Sequence, residues 1–422
     1  MDTNLETGKS VWDVVVIGGG PSGMMAAGRA AERGTKVILI EKNENLGKKL
    51  LISGGGRCNL TNAEFDTRKF LDKFKGSNKF LFSTFSKWNV KDTLDFFNSR
   101  KMETKIEAFQ RVFPITDKAQ SVLNVLVEYM KQGNVTVISN SEVLGFEVDN
   151  QKITAIKIKG KNNIFAKQFI LATGGTSHPE TGSTGDGFKW LQKIGHEIIE
   201  PSAALVPIAL KDDWIKDLQG TTLEKTKISI FQNNVKQASR IGKILFTHFG
   251  VSGPAILNMS QEVGELLKYG DVVISLDILP ELDYGQLNLK LQEIFKEHSN
   301  KNFKNSLATL IPSSFVPIII KLSGINGDTL SHSVTREQRL NLIQVLKSIP
   351  LHVKELLGAE KAIITSGGVK PEEVDWKSMH SKIFPNLFLI GDILNIDRPS
   401  GGYSLQLCWT TGFVAGDSVE VN

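Results

Sequence analysis

"VVVIGGGPSGMMAAGRAAERG", residues Val14–Gly34, decides the fold. An apolar run ending at Ile17 meets three glycines, and an alanine-rich stretch follows. Val14 to Ile17 reads as a buried strand and Ser22 to Arg33 as a helix. "KVILIEK", from Lys36, reads as the next strand. That succession is a βαβ unit. The turn fits G-x-G-x-x-G at Gly18, Gly20 and Gly23. Gly18 permits the tight turn, Gly20 lets backbone approach a pyrophosphate, and Gly23 lets helix and strand pack closely. Phosphates would rest on N–H groups at the positive helix end, around Pro21 and Ser22. Glu41 closes the second strand, followed by Lys42. A carboxylate there accepts both ribose hydroxyls and repels a 2′-phosphate, so the turn suits an ADP moiety and not NADP.

The totals set wide bounds. The chain has 422 residues, 41% hydrophobic and 23% charged, enough for two or three structural units with a large core. The net charge of +5 is spread along the chain and fits anionic small molecules, not a nucleic-acid surface. Cys58 and Cys408 are far apart and form no C-x-x-C, against a dithiol, a zinc site or a disulfide framework. No metal ligand set is expected. The N-terminal "MDTNLETGKSVWD" lacks an apolar signal core, and "FVPIII" is too short to cross a bilayer. The expectation is a cytoplasmic protein without membrane contact. Its oligomeric state is not legible.

Further along, "GKKLLISGGGRCNLTN" (47–62) is a second glycine-rich loop, with Gly54, Gly55, Gly56, Arg57 and Cys58 at its centre. Helices are expected between Thr67 and Arg100 and over Lys118–Gly133. "EVLGFEVDN" and "KITAIKIKG" read as a hairpin. From Leu205 to Pro280 short alternating segments predict a small antiparallel sheet or barrel, and from Tyr284 to Ile349 the pattern turns helical. The expected organisation is an α/β cofactor domain at 1–195 and 356–422, interrupted by a β-barrel-like part (196–280) and a helical part (281–355).

FAD and NAD share the first fingerprint, and the end of the chain separates them. In "NLFLIGDILNIDRPSGGYSLQLCWTTGFVAG" (386–416) a strand ends at Gly391-Asp392, and a glycine-rich turn leads into a helix near Gly402. "ILATGG", with Ala172, Thr173 and Gly174, supplies a middle motif. Together these resemble the Rossmann-like FAD domain of glutathione-reductase-like and succinate-dehydrogenase-like flavoproteins. The resemblance implies non-covalent FAD, with the Asp392 carboxylate on the ribityl chain. It also implies a helix N-terminus at Gly402, Tyr403 and Ser404 aimed at the flavin pyrimidine. More narrowly, "GKKLLISGGGRCNLTN", "RVFP", "TGSTGDGF", "LFTHFGVSGPAIL", "TSGGV" and "GGYSLQ" are similar, in order, to the YhiN/BaiN-like flavoproteins. That family includes aminoacetone-oxidase and bile-acid-reductase types. It implies an oxidoreductase acting on a small organic molecule, amine oxidase-like or enone reductase-like. Asp392, Asn395 and Ser404 depart from the family's usual Glu, Asp and Asn.

Flavin does redox chemistry itself; the protein positions substrate and tunes charge. Arg57 is a candidate for binding flavin or an anionic substrate, with a structural salt bridge as the alternative. Cys58 reads first as a small buried residue in a tight loop, and second as a thiol near the ring. His248, in "THFGVSGP", is a candidate acid or base, or else part of a fold-stabilising turn. His196 reads as structural and His178 as a loop cap. No second G-x-G-x-x-G follows a strand, so NAD(P)H is expected, if used, as a transient donor. An RNA-modifying flavoenzyme and a flavin sensor without turnover are the competing readings.

Overall fold

The computed structural model describes residues 12–74, 76–362 and 364–421, so most of the polar N-terminal stretch lies outside the described residues. The chain folds as two compact units. One runs to Ala204 and resumes at Ala362; the other is Leu205–Lys361.

In the first unit, β1 (Trp12–Ile17), α1 (Pro21–Glu32) and β2 (Val37–Ile40) form the βαβ core. β1 pairs in parallel with β2 on one side and with Ile164–Leu171 on the other. Thr136–Ile138 extends the sheet beyond β2. Leu387–Leu389 pairs in parallel with the end of Ile164–Leu171, and the hairpin Val143–Asp149/Lys152–Ile158 pairs with its start. Val14, Val15, Val16 and Leu39 are fully buried, as expected of parallel strands covered on both faces. A separate antiparallel sheet of Thr61–Asn62, Arg111–Pro114 and Thr104–Glu107 carries the "RVFP" stretch.

The second unit holds a closed six-stranded barrel: Ile208–Leu210, Gly250–Ser252, Val235–Thr247, Thr222–Gln232, Val272–Asp277 and Ile349–Leu356 in spatial order. Ile228, Ile230, Ile244, Phe246, Ile274 and Leu351 are buried from alternating positions, the period-two pattern of strands with one buried face. Helix Pro254–Leu267 and four helices between Tyr284 and Lys347 complete the unit.

Two segments fall on the other side of the expected boundaries. Ile349–Leu356 lies in the stretch read as helical, yet it closes the barrel, because Ile349, Leu351 and Val353 alternate inward against partners far away in sequence. Ile198–Ala204 belongs with the first unit, because it pairs antiparallel with Ile364–Val369. Among the described residues no helix is long and apolar enough to cross a membrane.

Candidate functional site

The glycine turn is held from several directions. Gly18 N–H donates to Ile40 O at 2.8 Å, and Gly47 N–H to Gly19 O at 2.9 Å. The buried Glu41 carboxylate accepts from Gly19 N at 2.7 Å, from Asn43 N at 2.8 Å and from Asn43 Nδ2 at 2.7 Å. Glu41 therefore fixes the loop through one oxygen and the following turn through the other. Lys42 reaches across to the Thr184 hydroxyl at 2.7 Å and to Asp186 at 3.4 Å. A Cβ on Gly23 would lie 2.0 Å from Gly18 O, whereas a Cβ on Gly20 would meet nothing within 4 Å. The loop is closed on its protein side and open where a phosphate would approach. Pro21 is the first helical residue and no side chain caps α1, which leaves its N-terminal donors to a ligand.

The C-terminal helix, Tyr403–Ser418, lies along α1. A Cβ on Gly412 would sit 2.5 Å from Ser22 O, and one on Gly416 2.5 Å from Ala26 O. The contacts advance together in residue number, so the helices run parallel. Tyr403 opens its helix nine residues before Gly412, and Pro21 opens α1 one residue before Ser22. At 1.5 Å per residue the C-terminal helix overshoots α1 by roughly 12 Å. Two positive helix ends are thus offset along one side of the unit.

Other expected residues are distributed as follows. Gly391 sits against Ser22, and its N–H donates to the Thr411 hydroxyl at 3.1 Å. Asp392 is ion-paired with Arg398. Ala172 N–H donates to Ile17 O at 2.9 Å, and Thr173 Oγ1 is buried with no hydrogen-bond partner. Gly174 takes a positive φ of 73° beside Ser183. Gly54, Gly55 and Gly56 form a left-handed run, and a Cβ on Gly55 would meet nothing within 4 Å. Ser404 Oγ accepts from Arg398 Nε at 3.0 Å. Tyr403, expected at the cofactor, buries its ring against Phe70 and Phe74, so only its backbone stands at the helix end. The open backbone at Gly20 and Gly55, the orphaned Thr173 hydroxyl and the two offset helix ends fit a molecule whose pyrophosphate is joined through a spacer to a ring, as in FAD.

Arg57 is committed elsewhere. Its guanidinium pairs with Glu107 and Asp117 at 2.5 Å each and stacks on Phe113, 4.1 Å from the ring centroid. These two carboxylates raise its pKa further. Of the candidate roles, the salt bridge is the one the geometry displays. His196 is buried between Glu373 and Ser381, and His178 pairs with Glu180. His248 stands exposed in the turn between Val235–Thr247 and Gly250–Ser252. Its ring meets that of Phe249 edge-on, with centroids 5.0 Å apart. Among the described residues no group of three His, Cys, Asp or Glu side chains is placed to hold a metal.

Both cysteines are free and buried. Burial pushes the Cys58 thiol up to about 12 and the Cys408 thiol up to about 11. Since the thiolate is the nucleophile, iodoacetamide at pH 8 is expected to label neither in the folded protein and both after unfolding, as counted by mass spectrometry. Rapid labelling of Cys58 in the native state would contradict its assignment as a small packing residue.

Two polar residues of the site escaped the sequence reading, Lys49 and Arg398. Lys49 Nζ donates to Ser177 Oγ at 3.1 Å. Arg398, only 4% exposed, donates to Ile396 O at 2.6 Å besides Asp392 and Ser404. The available signal was a lone guanidinium between a strand end and a glycine turn.

Comparison with known proteins agrees with this geometry. The family model for the HI0933-like protein Rossmann domain matches residues 12–418. A ribosomal RNA dihydrouridine synthase of Escherichia coli (strain K12) is 28% identical over 97% of this chain and 98% of its own length. A 3-dehydro-bile acid delta(4,6)-reductase of Clostridium scindens is 28% identical over 95% of this chain and 97% of its own. Among solved structures, a 3-ketosteroid delta1-dehydrogenase from Sterolibacterium denitrificans superposes with a TM-score of 0.54 at 13% identity, covering 97% of this chain and 99% of that one. A quinol-fumarate reductase gives 0.53 at 16%, covering 97% and 71%. At such identities the two structures speak for the fold alone. With the family model spanning both units and the glycine turn, the Gly391-Asp392 turn and the C-terminal helix in register, the chain belongs to the HI0933-like family of FAD-dependent Rossmann flavoproteins.

Proposed function

We propose that this flavoprotein reduces a carbon–carbon double bond conjugated to a carbonyl in a small, flat organic substrate. The observation that carries the reading is the pair of full-length relatives. One name describes the making of a dihydrouridine, the other a delta(4,6)-reductase. Both changes add hydrogen across a double bond next to a carbonyl, although the substrates differ. Bound FAD would supply the hydride from N5. The protein's part is to hold the cofactor at both ends, to place positive charge at its ring end and to deliver a proton to the substrate. His248 is the proposed proton donor. NAD(P)H is the proposed electron source, visiting the site transiently.

The test is an anaerobic half-reaction. Flavin reduced by light is mixed with a 4-en-3-one steroid, with its saturated ketone, or with a uridine-rich RNA, and reoxidation is followed at the flavin band. The expected result is reoxidation by the enone and none by the saturated ketone. Reoxidation by RNA alone would favour the second reading, an RNA-borne uracil as substrate, which the Escherichia coli relative supports. Reduction of the oxidised protein by primary amines, with peroxide formed in air and no response to any double bond, would overturn both.

A further inference from the structure

In the first unit, the hairpin of Thr104–Glu107 and Arg111–Pro114 ends in a three-residue tip, Ala108–Gln110. Phe109 and Gln110 both take left-handed backbone, with φ of 60° and 57°. That conformation is unfavourable for any residue with a Cβ, and for a bulky one it is a true outlier. Every carbonyl of the tip is held. Ala108 O accepts from Arg111 Nε at 3.1 Å, Phe109 O from Asn62 Nδ2 at 3.0 Å, and Gln110 O from Ala63 N at 2.7 Å. Arg57 grips Glu107, the residue before the tip. The strain is therefore imposed by the structure around it, and the turn is stiff.

The Phe109 ring takes little part in holding this turn. It is 62% exposed, and the Arg111 guanidinium lies 5.9 Å from its centroid. A strained, rigid turn that offers an aromatic ring to solvent points to a task outside the core. Its surroundings say which. Asn62 Nδ2, the donor to Phe109 O, also donates to Gly401 O at 3.3 Å. The tip is thus one side chain away from the glycine turn that opens the C-terminal helix. Further along the same hairpin, an edge atom of the Phe113 ring is 3.5 Å from where a Cβ on Gly54 would lie. The hairpin that carries Phe109 is therefore in touch with both the Gly54–Gly56 loop and the Gly401–Gly402 turn. An aromatic face at that place can take up the flat face of an unsaturated ring by dispersion and apolar burial, with no hydrogen bond required.

We propose that Phe109 is the platform on which the flat face of the conjugated substrate rests, and that it selects planar, uncharged ring systems. This rests on the reading that the site reduces a double bond next to a carbonyl. Phe109 positions the substrate and takes no part in proton or hydride transfer. The stiff backbone fixes the ring before substrate arrives, so little ordering remains to be done on binding.

The experiment uses the FAD-loaded protein in its oxidised state, which cannot reduce the probe. A 4-en-3-one steroid is titrated in, and perturbation of the flavin band gives its Kd. Phe109→Ala is expected to weaken binding about 10- to 100-fold, the loss of one large apolar contact. With light-reduced flavin and saturating enone, its reoxidation rate should stay within about threefold of the parent, the mark of lost binding and not lost chemistry. Phe109→Tyr keeps the ring face and should bind within about threefold of the parent. Phe109→Gly should lose binding as Phe109→Ala does, yet melt at or above the parent temperature, because glycine suits the left-handed backbone. An unchanged Kd in Phe109→Ala would overturn the proposal. So would a lower melting temperature with loss of FAD in Phe109→Gly, since the ring would then be part of the fold. A parent that neither binds the enone nor is reoxidised by it would instead break the reading on which the proposal rests.

Discussion

Gly23→Val is expected to yield a protein that no longer retains FAD. The Cβ alone would lie 2.0 Å from Gly18 O and 3.2 Å from the Ala172 Cβ. Neither side can yield cheaply. Gly18 is bonded to Ile40 O, Gly19 to Gly47 and to Glu41, and Ala172 to Ile17 O. The helix must therefore back away, taking its N-terminal donors with it. Overpacking of this kind costs about 1–3 kcal/mol, and at the upper end that is roughly a 150-fold loss in affinity. Gly20→Ala is the control, because its Cβ meets no protein atom within 4 Å. It should leave the melting temperature of the apoprotein unchanged and still weaken FAD, since only a ligand would collide with it. Titration of both apoproteins with FAD, followed by fluorescence quenching, measures the difference. Parent-like affinity in Gly20→Ala would remove the open side of the loop from the cofactor site.

His248→Gln is expected to slow the oxidative half-reaction by roughly 10²–10⁴-fold, the usual range for a lost acid or base. The FAD content should not change. The chain has seven histidines. Five are hydrogen-bonded to Glu180, Glu373, Ser299, Asp212 or Ser378, and His298 is partly buried. His248 is the exposed imidazole with no such bond among the described residues. It sits on a stiff turn. Thr247 donates to Gly250 O at 3.1 Å, and a Cβ on Gly250 would lie 2.1 Å from Ile208 O. The ring itself stabilises little, so the substitution should leave unfolding within about 0.5 kcal/mol of the parent. Equal rates in the variant would end His248's candidacy, and joint loss of FAD and solubility would mark the turn as structural after all.

The parts legible in the sequence are those written locally. The Gly18 loop, Glu41 and the hairpin announce themselves through glycine spacing and short-range periodicity. Ile349, Leu351 and Val353 also alternate, but their partners at Ile208–Leu210 and Val273–Leu276 are distant, and the helical text before them set the reading. Lys49 and Arg398 were missed for another reason. A charged side chain reads as solvent-facing, and only the tertiary fold shows that Arg398 is buried and Lys49 half-buried. Tyr403 erred the other way. Its place at a helix start was legible, but its ring's commitment to Phe70 and Phe74 was not. Arg57 was left between two roles because Glu107 and Asp117 are fifty and sixty residues away.

The pairing of Ile198–Ala204 with Ile364–Val369 also bears on how such a chain diverges. Ala204 and Ile364 are direct partners in adjacent antiparallel strands, so the polypeptide leaves the cofactor unit and returns to it at the same spot. A hairpin turn of two to five residues bridges neighbouring strands of this kind. Leu205–Lys361 is therefore a cassette: its length and contents can drift, be exchanged or be trimmed without altering the order of any strand in the sheet that carries the glycine loop. A lineage can keep that sheet intact while rewriting a single contiguous stretch of gene.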